Sequence, residues 1–385
     1  MKARGQVTRR DQITMENLLK LPSYFVQGIK YHAAGRIYTP KPVLSILGVT
    51  HRCNSRCIMC SYWEEHDSNQ ELTLTEIGRI YRNPLFSSLE TIVLSGGEPT
   101  LREDLVQIAQ ATLDSCPQIK DMTLLTNGLE PSLVVRKVKE LLALANSKRL
   151  RQFSVSVSLD GYGATHDKIR GIPQAFEKVS ETIERLKRLQ HETPFYLCST
   201  CVVQPLNISN LAELSEFGKE LGLPITFSPI CLSEVLVRDA TMKDSLKLTD
   251  EHVRQLKSFF DRKRELNMQP SNVPFWREYF SIISGKKRRL PCFQLYHFAG
   301  VDSDGTLWMC AADSSLVYGN VRDESPDKLW YSDKAEELRK RVEKYFCPSC
   351  TICCNPAFSL SHEFFYYAGF LLREKTRQLL RKGGT

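Results

Sequence analysis

The chain has 385 residues, is 42% hydrophobic and 25% charged, and carries a formal net charge of +8. This composition excludes a disordered protein, and the length is too great for one compact core, so we expect one large domain with smaller parts. The charge is uneven: residues 1–45 carry +6, residues 361–385 carry +3, and the centre is left at −1. A nucleic-acid groove would make the main body basic, so nucleic acid is not expected as a partner.

Hydropathy and cysteine usage predict the cellular location of the protein. No apolar run approaches the eighteen or so residues that span a bilayer, and the polar first residues predict no signal peptide. The thirteen cysteines are an odd number, and many have metal-type spacings, which favours a reducing cytoplasm over a disulfide framework. The predicted location is therefore cytoplasmic.

The first segment, residues 1–42, is predicted to be a basic helical extension. Residues 12–36 alternate apolar and basic side chains with a break at Pro22, and Lys41-Pro42 ends the pattern.

A β/α alternation begins at residue 43. Six short runs rich in Val, Leu, Ile, Phe and Thr predict strands at Val43–Val49, Thr91–Leu94, Met122–Leu125, Phe153–Ser158, Phe195–Val203 and Ile225–Phe227. Helical patterns lie between them, and this alternation implies parallel strands with right-handed crossovers. Because a closed barrel needs eight such units, the predicted fold is α/β, with an open, partial (β/α)6 TIM-like barrel over residues 43–235.

Turn-type motifs follow all six strands, at the end where such folds place their chemistry. They are the cysteine loop after strand 1, Ser95-Gly96-Gly97-Glu98-Pro99, Thr126-Asn127-Gly128, Ser158-Leu159-Asp160-Gly161, Pro205-Leu206-Asn207 and Ser228-Pro229. On strand 4, Ser154, Ser156, Ser158 and Asp160 share one face. A polar inner face predicts a wet lumen that holds a polar ligand.

The cysteine loop contains CxxxCxxC, formed by Cys53, Cys57 and Cys60. Thiolates suit iron–sulfur clusters and zinc, and three ligands leave one metal position open for a reactant. The alternative is a structural zinc site with His51 or His66 as the fourth ligand.

Residues 236–290 read as a helical connector, and a second set of cysteines follows in a predicted domain over residues 291–356. Cys292 and Cys310 flank a β-hairpin with Asp304-Gly305 at its turn, and Cys347, Cys350, Cys353 and Cys354 form CxxCxxCC. Zinc and a second iron–sulfur cluster are both compatible with this spacing.

Residues 357–385 are predicted to form a basic amphipathic C-terminal helix. Aromatic residues 364–367 precede Arg373, Lys375, Arg377, Arg381 and Lys382, a composition that suits an interfacial helix. We therefore carry two hypotheses for the basic ends: peripheral contact with the inner membrane surface, or packing on each other or on the barrel.

Two motifs together resemble those of radical SAM enzymes: CxxxCxMC at residues 53–60 and Gly96-Gly97-Glu98-Pro99 after the next strand. The likeness continues through residues 156–161, His166-Asp167, Arg170-Gly171, Cys292, Gly305, Cys310, residues 319–321, Trp330 and the last cysteines. It covers residues 43–355 and matches the branch with a C-terminal SPASM or shorter twitch domain, a small cysteine-rich α+β module.

The resemblance implies a [4Fe–4S] cluster on Cys53, Cys57 and Cys60, with one iron open to S-adenosylmethionine. The cofactor contacts that it implies are Met59 at the adenine, Gly96, Gly97, Glu98 and Pro99 at the methionine amino group, Ser158 and Asp160 at the ribose and methionine part, Asn207 as a further contact, and Arg170 at the methionine carboxylate. Reductive cleavage would give a 5′-deoxyadenosyl radical that abstracts hydrogen from a substrate, with a flavodoxin or ferredoxin as electron donor.

The second cysteine set departs from a full SPASM domain, which carries seven cysteines and two clusters. No cysteine follows Cys354, so the resemblance implies one auxiliary [4Fe–4S] cluster with Cys292 and Cys310 as ligands. Two more come from Cys347, Cys350, Cys353 and Cys354, with the first two preferred.

Three functions are compatible with these residues. The first is hydrogen abstraction from a lipid, sugar or cofactor precursor, by an oxidoreductase or a transferase. The second is maturation of a ribosomally made peptide, against which the N-terminus lacks a clear leader-binding domain. The third is a non-catalytic iron–sulfur or zinc scaffold, which the intact cysteines and the Gly-Gly-Glu-Pro motif disfavour. The sequence identifies no catalytic proton or hydrogen donor.

Overall fold

The computed structural model describes residues 37–64, 70–233, 236–263, 272–289, 294–310 and 315–351, residues 292 and 313, and single positions among 22–33 and 368–376. For residues 262, 263 and 272–274 it describes the backbone alone. Most of the two predicted terminal helices, His66, Cys353 and Cys354 lie outside the described residues. Within the described part, no helix is long and apolar enough to cross a membrane.

The chain divides into two compact units. The large unit comprises residues 40–255 and 297–341, and the small unit comprises residues 1–39, 256–296 and 342–385.

A nine-stranded sheet forms the centre of the large unit. Its strands are β1 Leu44–Gly48, β2 Thr91–Ser95, β3 Asp121–Thr126, β4 Gln152–Ser158, β5 Tyr196–Val203, β6 Ile225–Pro229, β7 Phe298–Val301, β8 Thr306–Trp308 and β9 Val317–Asn320. Their order is β6-β5-β4-β3-β2-β1-β7-β8-β9. Strands β1 to β6 pair in parallel, which confirms the predicted (β/α)6 alternation.

Helices connect these strands. They are α1 Leu74–Tyr81, α2 Leu105–Ser115, α3 Pro131–Ser147, α4 Ala164–Arg170, α5 Ala175–Glu192, α6 Leu211–Glu220 and α7 Ala240–Ser245, and then α8 Asp250–Lys263, α9 Asn272–Ile283, α10 Gln294–His297, α11 Pro326–Tyr331 and α12 Asp333–Arg341. Helix α1 shows how the sequence sets a boundary: Thr73 and Glu76 form a reciprocal capping box, and Ile77, Ile80 and Tyr81 form its buried face.

The predicted cysteine-rich domain contributes to the same sheet. Strand β7 pairs in parallel with β1, and β8 and β9 add two antiparallel strands. The hairpin at Asp304-Gly305 is confirmed, since the backbone N–H of Asp302 donates a hydrogen bond to the Thr306 carbonyl across the turn. The sheet is therefore continuous from the barrel into the hairpin, so the predicted boundary at residue 291 does not separate two sheets.

The small unit contains a pair of stacked aromatic rings and a backbone hydrogen bond between two segments that carry cysteines. The rings of Phe260 and Trp276 stack with centroids 3.9 Å apart, and the backbone N–H of Arg288 donates to Pro348 at 2.8 Å. This hydrogen bond joins the segment before Cys292 to the segment that holds Cys347 and Cys350.

Candidate active site

The cysteine loop leaves the C-terminal end of β1 and is anchored to the end of α4. The backbone N–H groups of Arg56 and Ile58 donate to the carbonyls of Arg170 and Ile169 at 2.9 and 3.0 Å. The loop between these contacts carries Cys57, which is buried, while Cys53 and Cys60 are partly buried.

Burial makes these thiols costly to ionise in the absence of a partner. Burial, reinforced by the neighbouring Cys57, raises the pKa of Cys53 to about 11 and that of Cys60 to about 12. A bound metal cluster would compensate this cost, since it takes thiolates as ligands.

Polar side chains lie against two of the sulfurs, with Arg170 and Asn127 as donors, while in the contact between Ser55 and Cys57 either group can donate. Ser55 Oγ lies 3.0 Å from Cys57 Sγ, Arg170 Nη1 lies 3.5 Å from the same sulfur, and Asn127 Nδ2 lies 3.8 Å from Cys53 Sγ. Donors around thiolates are typical of iron–sulfur sites. The donor set therefore fits an iron–sulfur cluster held by Cys53, Cys57 and Cys60.

Gly96 and Gly97 bring the Gly-Gly-Glu-Pro segment against the cysteine loop. The N–H groups of Gly97 and Glu98 donate to the carbonyls of Thr50 and Arg52, both at 2.8 Å. A Cβ at Gly97 would lie 2.4 Å from the Arg52 oxygen, and one at Gly96 would lie 2.4 Å from the Thr50 oxygen. Glycine at both positions therefore permits the close approach of the two motifs.

Glu98 is buried and tied to the end of β3. Its Oε1 accepts from the Thr100 N–H and hydroxyl and from the Thr126 hydroxyl, and its Oε2 accepts from the Asn127 N–H at 2.7 Å. Burial raises the pKa of the carboxyl group. Oε2 keeps a second acceptor position, so the predicted contact with the methionine ammonium is compatible with this geometry and stays a prediction. Pro99, also buried, begins the short 3-10 turn that follows.

Glu98→Gln is expected to weaken S-adenosylmethionine binding without removing iron. The change keeps the side-chain shape and removes the charge, and losing a charge-assisted hydrogen bond costs roughly 1.5–3 kcal/mol. Equilibrium dialysis of the anaerobic protein measures the affinity, and the iron content of the same sample is the control. Unchanged affinity would remove Glu98 from the cofactor site, and loss of iron would assign it to the scaffold.

Asp160 and Arg170 form a buried ion pair, and the cofactor contacts predicted for them stay predictions. Asp160 follows β4 but is fully buried, and its Oδ2 lies 2.6 Å from Arg170 Nη2 in an ion pair. Its Oδ1 accepts from the Val202 N–H at 2.7 Å. The carboxylate therefore does not face an open lumen, because the guanidinium covers it. Ser158, at the end of β4, is partly exposed and keeps its predicted place on the rim.

Asn207 supports the same buried region. Its Nδ2 donates to the carbonyls of Asp160 and Val202 at 2.7 and 2.8 Å, and its Oδ1 accepts from the Gln204 N–H at 2.9 Å. Both N–H groups of the amide are used inside the protein, while Oδ1 keeps a second acceptor position. The direct cofactor contact predicted for Asn207 therefore stays a prediction.

Arg170 Nε and Gln204 Oε1 are among the buried polar atoms near the loop that lack a hydrogen-bond partner in the described residues. Gln204 lies against Met59, with its Nε2 3.7 Å from the Met59 sulfur. Met59 itself packs in an apolar cluster with Ile169 and Ile230. Because unpaired buried groups are rare, these atoms fit a missing polar ligand such as S-adenosylmethionine.

A cavity of about 510 Å³ in the large unit opens beside these motifs. Its lining includes Cys60, Ser95 and Gly96 from the motifs already described. It also includes His51, Tyr62, Arg238, Asp302 and Trp308, which the sequence did not single out as cavity residues.

Asp302 lies at the centre of a hydrogen-bonded group in this cavity. His51 Nε2 lies 3.0 Å from its Oδ1, and the Tyr62 hydroxyl donates to its Oδ2 at 3.0 Å. Burial opposes ionisation, but the hydrogen bonds from His51, Ser303 and Tyr62 hold the pKa of Asp302 below its usual value. The hairpin motif around Asp304-Gly305 was the available sequence signal, but His51 and Tyr62 reach Asp302 across about 240 residues of chain or more.

The second cysteine set is described in part. In the small unit, the hydrogen bond between Cys347 and Cys292 lowers the pKa of Cys292 to about 6 and raises that of Cys347. Cys350 lies close enough to raise the pKa of Cys347 further. In the large unit, Cys310 lines the cavity after β8. An auxiliary cluster on these four residues stays a prediction.

Three further cysteines and His166 lie away from the cysteine loop in the sequence. Cys198 and Cys201 lie on opposite faces of β5, and Cys116 is buried. His166 is fully buried, and its Nδ1 accepts from the Asp160 N–H at 3.0 Å.

Two family models match the chain. Residues 47–218 match the model described as the radical SAM superfamily, and residues 292–354 match SPASM, described as an iron-sulfur cluster-binding domain.

Three curated relatives show which parts of the chain are shared. The chain is 28% identical over 336 residues to the AdoMet-dependent heme synthase of Methanosarcina barkeri, covering 82% of this chain and 89% of the relative. It is 24% identical over 381 residues to the Fe-coproporphyrin III synthase of the same organism, covering 90% and 88%. A probable GTP 3′,8-cyclase of Methanocaldococcus jannaschii is 31% identical over 179 residues, covering only 46% and 55%.

Solved structures share the fold. Streptococcus suis SuiB bound to precursor peptide SuiA matches with a TM-score of 0.57 and 16% identity, covering 92% of this chain and 79% of that one. Native anSMEcpe with bound AdoMet matches with a TM-score of 0.54 and 18% identity, covering 86% and 99%. These likenesses support the partial-barrel fold and carry no information on substrate.

Proposed function

This chain belongs to the radical SAM superfamily, with a SPASM domain, and from that premise we propose that it abstracts hydrogen from a small polar substrate, in the class of cofactor precursors. Cys53, Cys57 and Cys60 would hold the [4Fe–4S] cluster, and the residues around Gly96, Glu98 and Arg170 would hold S-adenosylmethionine. Bound there, the cluster and cofactor supply the radical chemistry that removes a hydrogen atom from the substrate. The SPASM domain implies a further iron–sulfur cluster, for which Cys292, Cys310, Cys347 and Cys350 are the proposed ligands.

The chain's own residues would bind the substrate and keep water away from it. The observation that carries this proposal is the 510 Å³ cavity between Gly96 and the Asp302 hairpin, a volume in the range of small-molecule sites. Trp308 and Tyr62 supply aromatic surface, and Arg238 and the His51–Asp302 pair supply polar groups. Burial of the reacting group among these side chains excludes competing hydrogen donors.

The relatives favour one substrate class to test first. The two that share nearly the whole chain are named for heme and Fe-coproporphyrin III, both tetrapyrroles. The likeness to the GTP cyclase covers less than half of this chain, so it supports the shared barrel more than a nucleotide substrate. A tetrapyrrole precursor is therefore the leading candidate, and a ribosomally made peptide is the alternative.

Iron coproporphyrin III is expected to stimulate 5′-deoxyadenosine formation by reduced, reconstituted protein. Chromatography measures the 5′-deoxyadenosine formed with and without the porphyrin, and GTP under the same conditions is the comparison. No stimulation by the porphyrin would reject the tetrapyrrole class. No 5′-deoxyadenosine under any condition would favour the non-catalytic scaffold.

We further propose that a flavodoxin or ferredoxin supplies the electrons, and that the enzyme works in the cytoplasm with its basic ends at an anionic membrane surface. The support for the second proposal is the charge of +6 and +3 at the two ends. Each basic residue near such a surface contributes about 1 kcal/mol.

The full-length protein is expected to float with vesicles that contain phosphatidylserine at low salt, and to be released as salt rises. Deletion of residues 361–385 should reduce the bound fraction, and neutral phosphatidylcholine vesicles are the control. Protein that stays in the lower fraction at low salt would leave the ends as packing segments.

A further inference from the structure

Arg170 connects three parts of the active site through one guanidinium group. It ends α4 and is 7% exposed. Its Nη1 lies 3.5 Å from Cys57 Sγ, and its Nη2 lies 2.6 Å from Asp160 Oδ2. Its Nε is buried without a hydrogen-bond partner in the described part of the chain, which leaves this N–H for the carboxylate predicted from the family resemblance.

The surrounding residues fix the guanidinium in place. Asp160 accepts from the Val202 N–H, its own N–H donates to His166, and its carbonyl accepts from Asn207. Burial holds the pKa of His166 well below its usual value, so the imidazole is neutral and does not compete with Arg170 for Asp160. The backbone carbonyl of Arg170 accepts from the Arg56 N–H at 2.9 Å and the Ser55 hydroxyl at 3.1 Å.

The guanidinium of Arg170 brings a positive charge to the cysteine loop. An arginine side chain stays protonated in proteins, and its Nη1 lies 3.5 Å from the Cys57 sulfur. A cluster on these cysteines becomes more negative when it takes up an electron. Hydrogen bonds to its sulfurs and nearby positive charge therefore favour the reduced state.

We propose that Arg170 is a positioning residue that raises the reduction potential of the cluster through its hydrogen bond and charge at the Cys57 sulfur. This inference rests on the proposed function, since it requires a cluster on Cys53, Cys57 and Cys60. It goes beyond a contact with S-adenosylmethionine, because it predicts an effect that is present before the cofactor binds.

The test is a redox titration of full-length reconstituted protein without S-adenosylmethionine, followed by electron paramagnetic resonance. The auxiliary cluster adds its own signal, so the signal that is missing from Cys57→Ala identifies the loop cluster. Arg170→Gln keeps an amide donor and removes the charge. Its reduced-to-oxidised ratio at a fixed potential should fall about tenfold, which corresponds to a shift of about 59 mV for one electron.

Arg170→Lys keeps the charge without the planar fork, so its potential should lie between those of wild type and Arg170→Gln. Arg185→Gln is the matched control, because Arg185 lies on α5 and pairs with Glu181 at the surface. Iron content of each sample separates the two proposals: wild-type protein that binds no loop cluster contradicts the proposed function. Variants that hold the cluster at the wild-type potential overturn the role of Arg170. If Arg170→Gln does not hold iron, the reduction potential of Arg170→Lys is compared with that of the wild type. An unchanged potential then overturns the role of Arg170.

Discussion

Replacement of Cys57 by alanine should abolish cleavage of S-adenosylmethionine, while about half of the iron remains bound if each site holds one four-iron cluster. Cys57 is the most buried of the three loop cysteines, and both Ser55 and Arg170 contact its sulfur. Alanine offers no ligand, so the loop would hold the cluster by two thiolates at most. The second cysteine set belongs to a different segment of the chain and should keep its own iron.

Chemical iron analysis and 5′-deoxyadenosine formation are the two measurements for this variant. Cys116→Ala is the matched control, because Cys116 is also buried but its thiol donates to the Tyr81 carbonyl at 3.2 Å. The control should retain both iron and activity. Complete loss of iron from Cys57→Ala would show that Cys292, Cys310, Cys347 and Cys350 bind no cluster of their own.

Gly97→Ala is expected to reduce the rate of S-adenosylmethionine cleavage by about a hundredfold, since a shift of about 1 Å in a positioning segment can cost that much. The new Cβ would lie 2.4 Å from the Arg52 oxygen and 2.7 Å from the His51 oxygen. Both are backbone atoms and cannot rotate away, so the Gly-Gly-Glu-Pro segment and the cysteine loop must separate. Overpacking of this kind also lowers the free energy of unfolding by about 1–3 kcal/mol.

Gly78→Ala provides the control for this substitution. Gly78 lies within α1, and a Cβ there would meet the end of the Arg82 side chain at 3.8 Å, an ordinary contact. Alanine is also the better helix former, so this variant should be as stable as wild type or more so. Rates are measured with saturating S-adenosylmethionine, and chemical denaturation gives the unfolding free energies. A wild-type rate for Gly97→Ala would show that the two motifs move independently.

The sequence was sufficient to predict the six parallel β/α units and to propose the cysteine loop as the cluster site. Alternating apolar runs and helical patterns predict six parallel β/α units, because the spacing of apolar residues in a strand or a helix is a local property of the chain. The spacing of Cys53, Cys57 and Cys60 is equally local, since three ligands within eight residues need only one loop to bring them together. The family models then confirmed the radical SAM and SPASM assignments that these motifs predicted.

Tertiary structure decided the contacts of the remaining site residues. Alternation along strand 4 placed Asp160 on a polar face, but its carboxylate pairs with Arg170 from the following helix. Likewise, nothing near Asp302 in the chain indicates that His51 and Tyr62 bind it. Strand β7 pairs with β1 across about 250 residues, and this pairing carries Asp302 to the cysteine loop. Local patterns determine secondary structure and ligand spacing, whereas the partner of a buried charge depends on which distant segment the sheet brings beside it.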